Sequence, residues 1–256
     1  MELTIATWNS CQGSDQKLPA LMQAFSPDIA VVPESSSTPS IAAPSLLADG
    51  VPHVWTGSLT AKGLGIFGRP GSSVVAREVI EGRGTHGLAV DVDLDGRQFS
   101  VLGVWTVPLH GTGHATPYMG ALADILDRHA DLLAAGKTVV AGDINCSGQS
   151  SPDSFPGFFQ ALLERHGLVS VYHQHTGHAI GQEADPTLFW RRKRDAPFHC
   201  DVILVPESWV VREICVGDYD TWCADDARAR SDHVPLVARV EPTTSSWMSS
   251  QTGPGE

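Results

Sequence analysis

The chain has 256 residues, 42% of them hydrophobic, enough for one large domain with a full core, and its 17 basic against 29 acidic residues leave a formal charge of -12. That charge argues against a partner held mainly through many phosphates, such as a processively bound polynucleotide, although a local basic loop can still grip one phosphate or a few. No window reaches the roughly 18 apolar residues of a membrane span, the start Met1-Glu-Leu-Thr-Ile is no signal peptide, and five cysteines without a Cys-x-x-Cys pair suggest reduced thiols, so a cytoplasmic protein is expected.

In chain order, Leu3 to Asn9 reads as a buried strand. Ser14 or Asp15 can cap a helix that runs to Phe25, and Ser26-Pro27-Asp28 stops it before a strand ending at Glu34. Ser35 to Gly50, rich in Ser, Pro and Ala, is expected as a surface loop, followed by short strands near His53–Gly57, Gly65–Gly68 and Ser73–Val79. Gly87 to Val107 forms the clearest hairpin, because Ala89-Val-Asp-Val-Asp-Leu94 alternates and Asp95-Gly96 supplies a favoured tight turn. Tyr118 to Ala135 repeats apolar residues at helical spacing and ends at Gly136, a suitable cap. A strand then delivers Asp143, a helix spans Phe155–His166, and strands are expected at Leu168–Tyr172, Thr187–Arg191, Cys200–Val205, Val210–Val216 and Val234–Val240. Periodicity alone supports a mixed α/β or α+β domain over residues 1–241, with the Ser/Thr/Gly/Pro-rich tail from Pro242 to Glu256 disordered.

Four apolar runs break off in residues able to bind a metal or move a proton. Thr138-Val-Val-Ala-Gly-Asp143-Ile-Asn145 ends in a carboxylate and a carboxamide two residues apart, which strand alternation projects to one side. Trp8-Asn9 follows Leu3–Thr7, Pro33-Glu34 follows Ile29–Val32, and Ser231-Asp232-His233 precedes Val234-Pro-Leu-Val237. In this order the motifs resemble the endonuclease/exonuclease/phosphatase superfamily, and they span residues 8 to 235, nearly the whole chain. The resemblance implies a four-layer α/β/β/α sandwich of two mixed sheets flanked by helices. It also implies a metal-dependent phosphoesterase, although one fold hosts many reactions.

Hydrolysing a phosphoester requires a cation, an acceptor for the attacking water, and donors to the phosphate oxygens. By resemblance, Glu34 is the principal ligand for Mg²⁺ or Mn²⁺, a role that suits a hard carboxylate. Asp143 would orient or deprotonate the water, Asn145 would donate to a phosphate oxygen or position that water, and Asn9 would support the carboxylates. His233 would touch the scissile phosphate, with Asp232 beside it as a metal or water ligand. Phe198-His-Cys-Asp201 resembles the strand whose aspartate pairs with that histidine, preceded by Pro186-Thr-Leu-Phe-Trp190 as a Thr-Phe-Trp type segment. One departure matters: many relatives place a His, or a Tyr with a nearby Asn, after the strand that here reads Val101-Leu-Gly-Val-Trp-Thr-Val-Pro108. Trp105 as a stacking wall and His110 in the next loop are the substitutes on offer.

Trp190 is a second wall candidate, and Arg191-Arg192-Lys-Arg194 is either a solvated turn or a local phosphate grip. His173, His175 and His178 have spacing that favours a structural or substrate-contact role over zinc. The leading expectation is a monomeric enzyme cutting a phosphodiester in DNA, RNA or a nucleotide-like molecule. The alternative is a phosphatase or phosphodiesterase on a small metabolite or lipid headgroup, and a silent binding module ranks last because none of Glu34, Asp143, Asn145 or His233 is missing.

Overall fold

The computed structural model describes residues 2–12, 14–37, 50–59, 62–77, 86–224 and 230–243. The first half runs β1 (Leu3–Thr7), α1 (Ser14–Phe25), β2 (Ile29–Ser35), β3 (His53–Leu59), β4 (Lys62–Gly68), β5 (Ser73–Ala76), β6 (His86–Leu94) and β7 (Arg97–Trp105). The second half runs α2 (Pro117–Arg128), α3 (Ala130–Ala134), β8 (Thr138–Asp143), α4 (Phe155–His166), β9 (Leu168–Ser170) and α5 (Val171–Thr176). It continues through β10 (Leu188–Phe189), β11 (Pro197–Phe198), β12 (Asp201–Pro206), β13 (Val210–Val216), α6 (Tyr219–Trp222) and β14 (Leu236–Glu241).

Two six-stranded sheets form, in the orders β13-β14-β1-β2-β4-β3 and β5-β6-β7-β8-β12-β9, while β10 and β11 pair separately. The alternation of each strand decides which face does what. Leu3 and Ile5 of β1, Ile29 and Val31 of β2, Val139 and Ala141 of β8, and Ile203 and Val205 of β12 pack together between the sheets. The opposite faces carry Ala6, Ala30 and Val32 against Leu18 and Leu21 of α1, and Leu102, Val140 and Leu204 against the α2 and α4 residues Leu122, Leu126 and Phe159. The result is the four-layer α/β/β/α sandwich expected from the resemblance.

Several element boundaries differ from the sequence reading for identifiable reasons. The helix expected to Ala135 breaks at His129, whose ring Nδ1 donates to the Ile125 carbonyl (2.8 Å) and takes the acceptor that the helix would have used, while its backbone N–H turns to Leu126 (3.1 Å). The strand expected to Tyr172 stops at Ser170, and Val171–Thr176 coils into α5 before Gly177 caps it with φ +74°. A five-residue run such as Leu168-Val-Ser-Val-Tyr172 cannot separate those outcomes. The strand expected to Arg191 ends at Phe189, because Trp190–Arg192 forms a 3₁₀ turn with Arg191 and Arg192 at positive φ. β14 starts at Leu236 rather than Val234, since Pro235 has no N–H to give the ladder. Residues 38–49 of the expected Ser35–Gly50 loop, residues 78–79 of the third short strand and residues 244–256 of the tail lie outside the described residues.

Candidate active site

β1 runs parallel to β2 and β7 parallel to β8, whereas β14 and β12 run antiparallel to β1 and β8. The C-terminal ends of β1, β2, β7 and β8 therefore meet the N-terminal ends of β12 and β14 at one rim of the sandwich. In the second sheet a single row crosses four strands there, with His86 paired to Trp105, Trp105 to Asp143, and Asp143 to Asp201. Gly142 makes that row possible: at φ +144°, a Cβ would lie 1.8 Å from the Val104 carbonyl oxygen, so only glycine lets β7 and β8 close up just before Asp143.

The first sheet supplies Asn9 by continuing the inward face of Leu3, Ile5 and Thr7. Glu34 arrives by another route. Simple alternation would send it outward with Ala30 and Val32, but the pairing of β2 with β4 slips between Pro33 and Ser35, and Glu34 takes φ +57°. This one-residue bulge turns its carboxylate into the site. Asn9 Nδ2 lies 3.4 Å from Glu34 Oε1 and donates to Asp143 Oδ2 at 2.9 Å, which ties the two sheets together.

Asp143 is fully buried and accepts a second side-chain bond from Asn145 Nδ2 (2.9 Å) on Oδ2 and the Asn145 backbone N–H (2.8 Å) on Oδ1. The sequence argument that alternation would align Asp143 with Asn145 is corrected here. β8 ends at Asp143, and Asn145 folds back because it adopts φ +48°, a conformation asparagine tolerates. Its other amide proton goes to the Thr106 carbonyl (3.1 Å), so both amide protons are spent on holding Asp143 and the chain around it. Burial pushes the Asp143 carboxyl up to about 7, against the pull of the His233 cation and of its hydrogen bonds to Asn9 and Asn145.

His233 is pinned from both sides. Ser231 Oγ donates to the Asn9 carbonyl (2.7 Å) and accepts the His233 N–H (3.1 Å), Trp8 Nε1 donates to the His233 carbonyl (2.8 Å), and the Phe189 and Val234 N–H groups donate to the Asp232 and Thr187 carbonyls. Its Nδ1 donates to Asp201 Oδ2 at 2.7 Å, which fixes the tautomer and aims Nε2 at Asp143 Oδ2, 4.0 Å away. Burial alone would hold the imidazolium down, but Asp201 above all, helped by Asp143 and Asp232, raises it to about 10. Asp201 is itself set by Thr187, whose Oγ1 accepts the backbone N–H groups of Cys200 (3.1 Å) and Asp201 (3.0 Å).

Glu34 Oε2 is bound by the Lys62 ammonium at 3.0 Å, so a cation already sits on this carboxylate. The donors gathered there are hard oxygens, which fits a divalent ion such as Mg²⁺ that keeps most of its waters. Asp232 is half-buried beside Cys11 and Lys17. Cys200, Asp201 and His233 also cluster, but the histidine and carboxylate are bonded to each other in a fully buried pair, leaving no seat for a hard cation.

The other sequence candidates divide. Trp105 is 6% exposed, stacked on His86 (4.8 Å between centroids) and approached by Lys62 (5.2 Å), so it is a buried wall rather than an open stacking platform. His110 is exposed in the loop after β7 and shares no hydrogen bond with the cluster. Trp190 is 53% exposed and, with Tyr118, Leu188, Phe198 and Cys200, lines a cavity of about 330 Å³ that opens beside Asn145. A larger hollow of about 550 Å³, bounded by Ser73, Asp91 and Lys137, lies at the opposite ends of the strands, away from the polar groups. The Arg191 guanidinium rests near the Trp190 ring (5.9 Å), Arg192 is exposed, and Arg194 is spent on Asp220 and the Tyr219 ring.

His173 bonds Ser170 Oγ (2.8 Å) and Glu183 (3.0 Å), while His178 meets the Tyr172 hydroxyl (3.2 Å). These histidines bond to different partners rather than converging, and His173 and His178 brace the loop that leads to Thr187. Lys62, His86, Thr187 and Ser231 were not singled out from sequence. Thr187 and Ser231 lay inside quoted motifs without a role of their own, but Lys62 stands alone in a polar stretch and only the sheet pairing brings it to Glu34.

No protein-family model matches the chain, and no curated protein matches it. Solved structures do. A 3′ phosphatase, NExo, from Neisseria bound to a product DNA hairpin is 21% identical, with 92% of this chain and 98% of that chain covered at a TM-score of 0.65. The human Nocturnin catalytic domain with a bound sulfate is 18% identical, with 94% of each chain covered at 0.66. An endonuclease/exonuclease/phosphatase from Beutenbergia cavernae is 18% identical, with 94% and 72% covered at 0.63. The chain has the endonuclease/exonuclease/phosphatase fold. Among the described residues, no helix is long and apolar enough to cross a membrane.

Proposed function

We propose that the protein is a metal-dependent phosphoric ester hydrolase that cleaves a phosphodiester by in-line attack of water. The observation that carries this reading is the 4.0 Å gap between Asp143 Oδ2 and His233 Nε2, with each group locked from behind by its own buried partners. An oxygen about 2.8 Å from both would accept from the histidine and meet the carboxylate.

Asp143, with its carboxyl raised to about 7, is poised near neutral pH to orient and deprotonate the attacking water. His233, charged through its pairing with Asp201, donates from Nε2 to a phosphate oxygen and holds the negative charge that grows there. Asn9 and Asn145 keep Asp143 aimed. Glu34, with Asp232 nearby, would hold Mg²⁺ or Mn²⁺, which when bound supplies Lewis-acid neutralisation of the phosphate and leaving oxygens.

The aromatic-walled cavity beside Asn145 suits a ring next to the scissile phosphate and favours a nucleic acid or nucleotide-like ester over a lipid headgroup. The DNA hairpin bound by the NExo relative supports the same substrate class. Five free cysteines fit work in the cytoplasm. The test is a screen of bis-p-nitrophenyl phosphate, p-nitrophenyl phosphate, plasmid and single-stranded DNA, each with Mg²⁺, Mn²⁺ or EDTA. Metal-dependent cleavage of diesters supports the reading; turnover of the monoester alone replaces it with a small-molecule phosphatase.

A further inference from the structure

Lys62 carries a charge at the rim for which the attack of water gives no task. Lys62 opens β4, where pairing with β2 brings it across from the Glu34 bulge, and its ammonium lies 3.0 Å from Glu34 Oε2 and 5.2 Å from the centroid of the Trp105 ring. That ring cannot swing away, since it is buried and stacked on His86 at an interplanar angle of 9°. The ammonium is therefore steadied by an aromatic face that attracts a cation without neutralising it. The Glu34 carboxylate is divided, with Oε1 toward Asn9 and Oε2 on Lys62.

Two features make this more than a surface ion pair. The rim gathers Glu34, Asp143, Asp201 and Asp232, and a phosphodiester brought among them adds another negative charge. A second cation beside His233 offsets that repulsion at the place where substrate must enter. The Lys62 side chain is also 33% exposed, so its ammonium can reach an incoming anion.

We propose that Lys62 is a substrate-phosphate-binding residue of this site, held on Glu34 while the metal is absent and turned to the phosphate when a divalent cation takes the carboxylate. The inference rests on Glu34 being the metal ligand. It assigns Lys62 two opposed effects: competition with the metal for Glu34, and attraction of the substrate. A purely structural lysine would not oppose the two.

The test uses Lys62→Met and Lys62→Arg in the full chain, with Mn²⁺ binding followed by loss of the free-ion electron paramagnetic resonance signal and kinetics on bis-p-nitrophenyl phosphate at saturating Mn²⁺. Lys62→Met should bind Mn²⁺ about three- to tenfold tighter, because an ammonium is removed from the carboxylate in a partly screened site. Its kcat/KM should fall about tenfold or more, with Lys62→Arg recovering most of the loss. Unchanged or weaker Mn²⁺ binding in Lys62→Met overturns the proposal, and so does an unchanged kcat/KM. Glu34→Gln is the control for the reading beneath it. If that variant binds Mn²⁺ as tightly as the wild type, the assignment of Glu34 fails; if it loses the ion while Lys62→Met changes nothing, only the role of Lys62 fails.

Discussion

Asp201→Asn removes one charge from a pair that is buried on every side, with Asp201 fully buried and its Oδ2 2.7 Å from His233 Nδ1. The asparagine oxygen can still accept the Nδ1 proton, so the ring keeps its place, but the largest influence offsetting the burial of the imidazolium is gone. The charged state of His233 is worth several kcal/mol in the wild type, from a value of about 10 against the ordinary 6.5, at about 1.4 kcal/mol per unit. Losing Asp201 should drop the histidine well below about 10. Asp143 loses both the cation that pulls it down and the Asp201 charge that pushes it up; the histidine is the larger influence, so the Asp143 carboxyl should climb. Turnover of bis-p-nitrophenyl phosphate at pH 7 should fall by about a hundredfold or more, and the alkaline limb of the pH–rate profile, which needs a charged His233, should retreat from about pH 10 toward neutral. The stability effect has a definite sign. A histidine whose folded value is raised stabilises fully below its unfolded value and loses that contribution as pH rises through the folded one, so the deficit of Asp201→Asn should be widest below pH 6.5 and close toward pH 10. Histidine side-chain ¹⁵N NMR titration in EDTA and urea melts at pH 6 and pH 9.5 read the two effects. A wild-type His233 that is neutral at pH 8, or a variant whose His233 titrates like the wild type, refutes the reasoning.

Gly142→Ala should yield insoluble or inactive protein, because its Cβ would meet the Val104 oxygen at 1.8 Å, whereas Gly157→Ala in α4, with nothing within 4 Å, should raise the melting temperature slightly. Replacing Arg191 and Arg192 with Ser should weaken polynucleotide binding and flatten its salt dependence by about one unit of slope per lost phosphate contact, with small-diester hydrolysis nearly untouched. Equal loss on the small diester makes the turn structural instead. His173→Ala should lower the melting temperature by taking the ion-pair partner from the buried Glu183 carboxylate, and elemental analysis of the wild type should find no stoichiometric zinc at these histidines.

The order of elements was readable because buried strands and amphipathic helices carry different periods, and Leu3–Thr7, Thr138–Asp143 and Phe155–His166 fall where their patterns put them. Asn9, Asp143, Asp201 and His233 come together at one rim of the sandwich. What the sequence hid was backbone geometry of single residues. Alternation places Glu34 on the wrong face, and only a bulge brings it inward; alternation predicts that Asn145 aligns with Asp143, yet it is a left-handed turn that brings them together. Lys62 was invisible for another reason: its partner Glu34 is distant in sequence, and a lone lysine before Gly63 carries no pattern that a sheet register would reveal. His110 and Trp105 were named as substitutes for the group that many relatives carry after the strand ending near Pro108, and the structure leaves the first in solvent and closes the second beneath His86 and Lys62.

The central claim, that Glu34, Asp143 and His233 drive metal-dependent attack of water on phosphorus, is tested most directly by hydrolysing bis-p-nitrophenyl phosphate in ¹⁸O-water. The wild type with Mg²⁺ or Mn²⁺ should give p-nitrophenyl phosphate carrying one ¹⁸O, and EDTA should abolish the reaction. Glu34→Gln, Asp143→Asn and His233→Ala should each lower the rate by at least about a hundredfold while remaining folded. Full turnover in EDTA, label in the nitrophenol, or near-normal rates in any two of the variants would contradict the account.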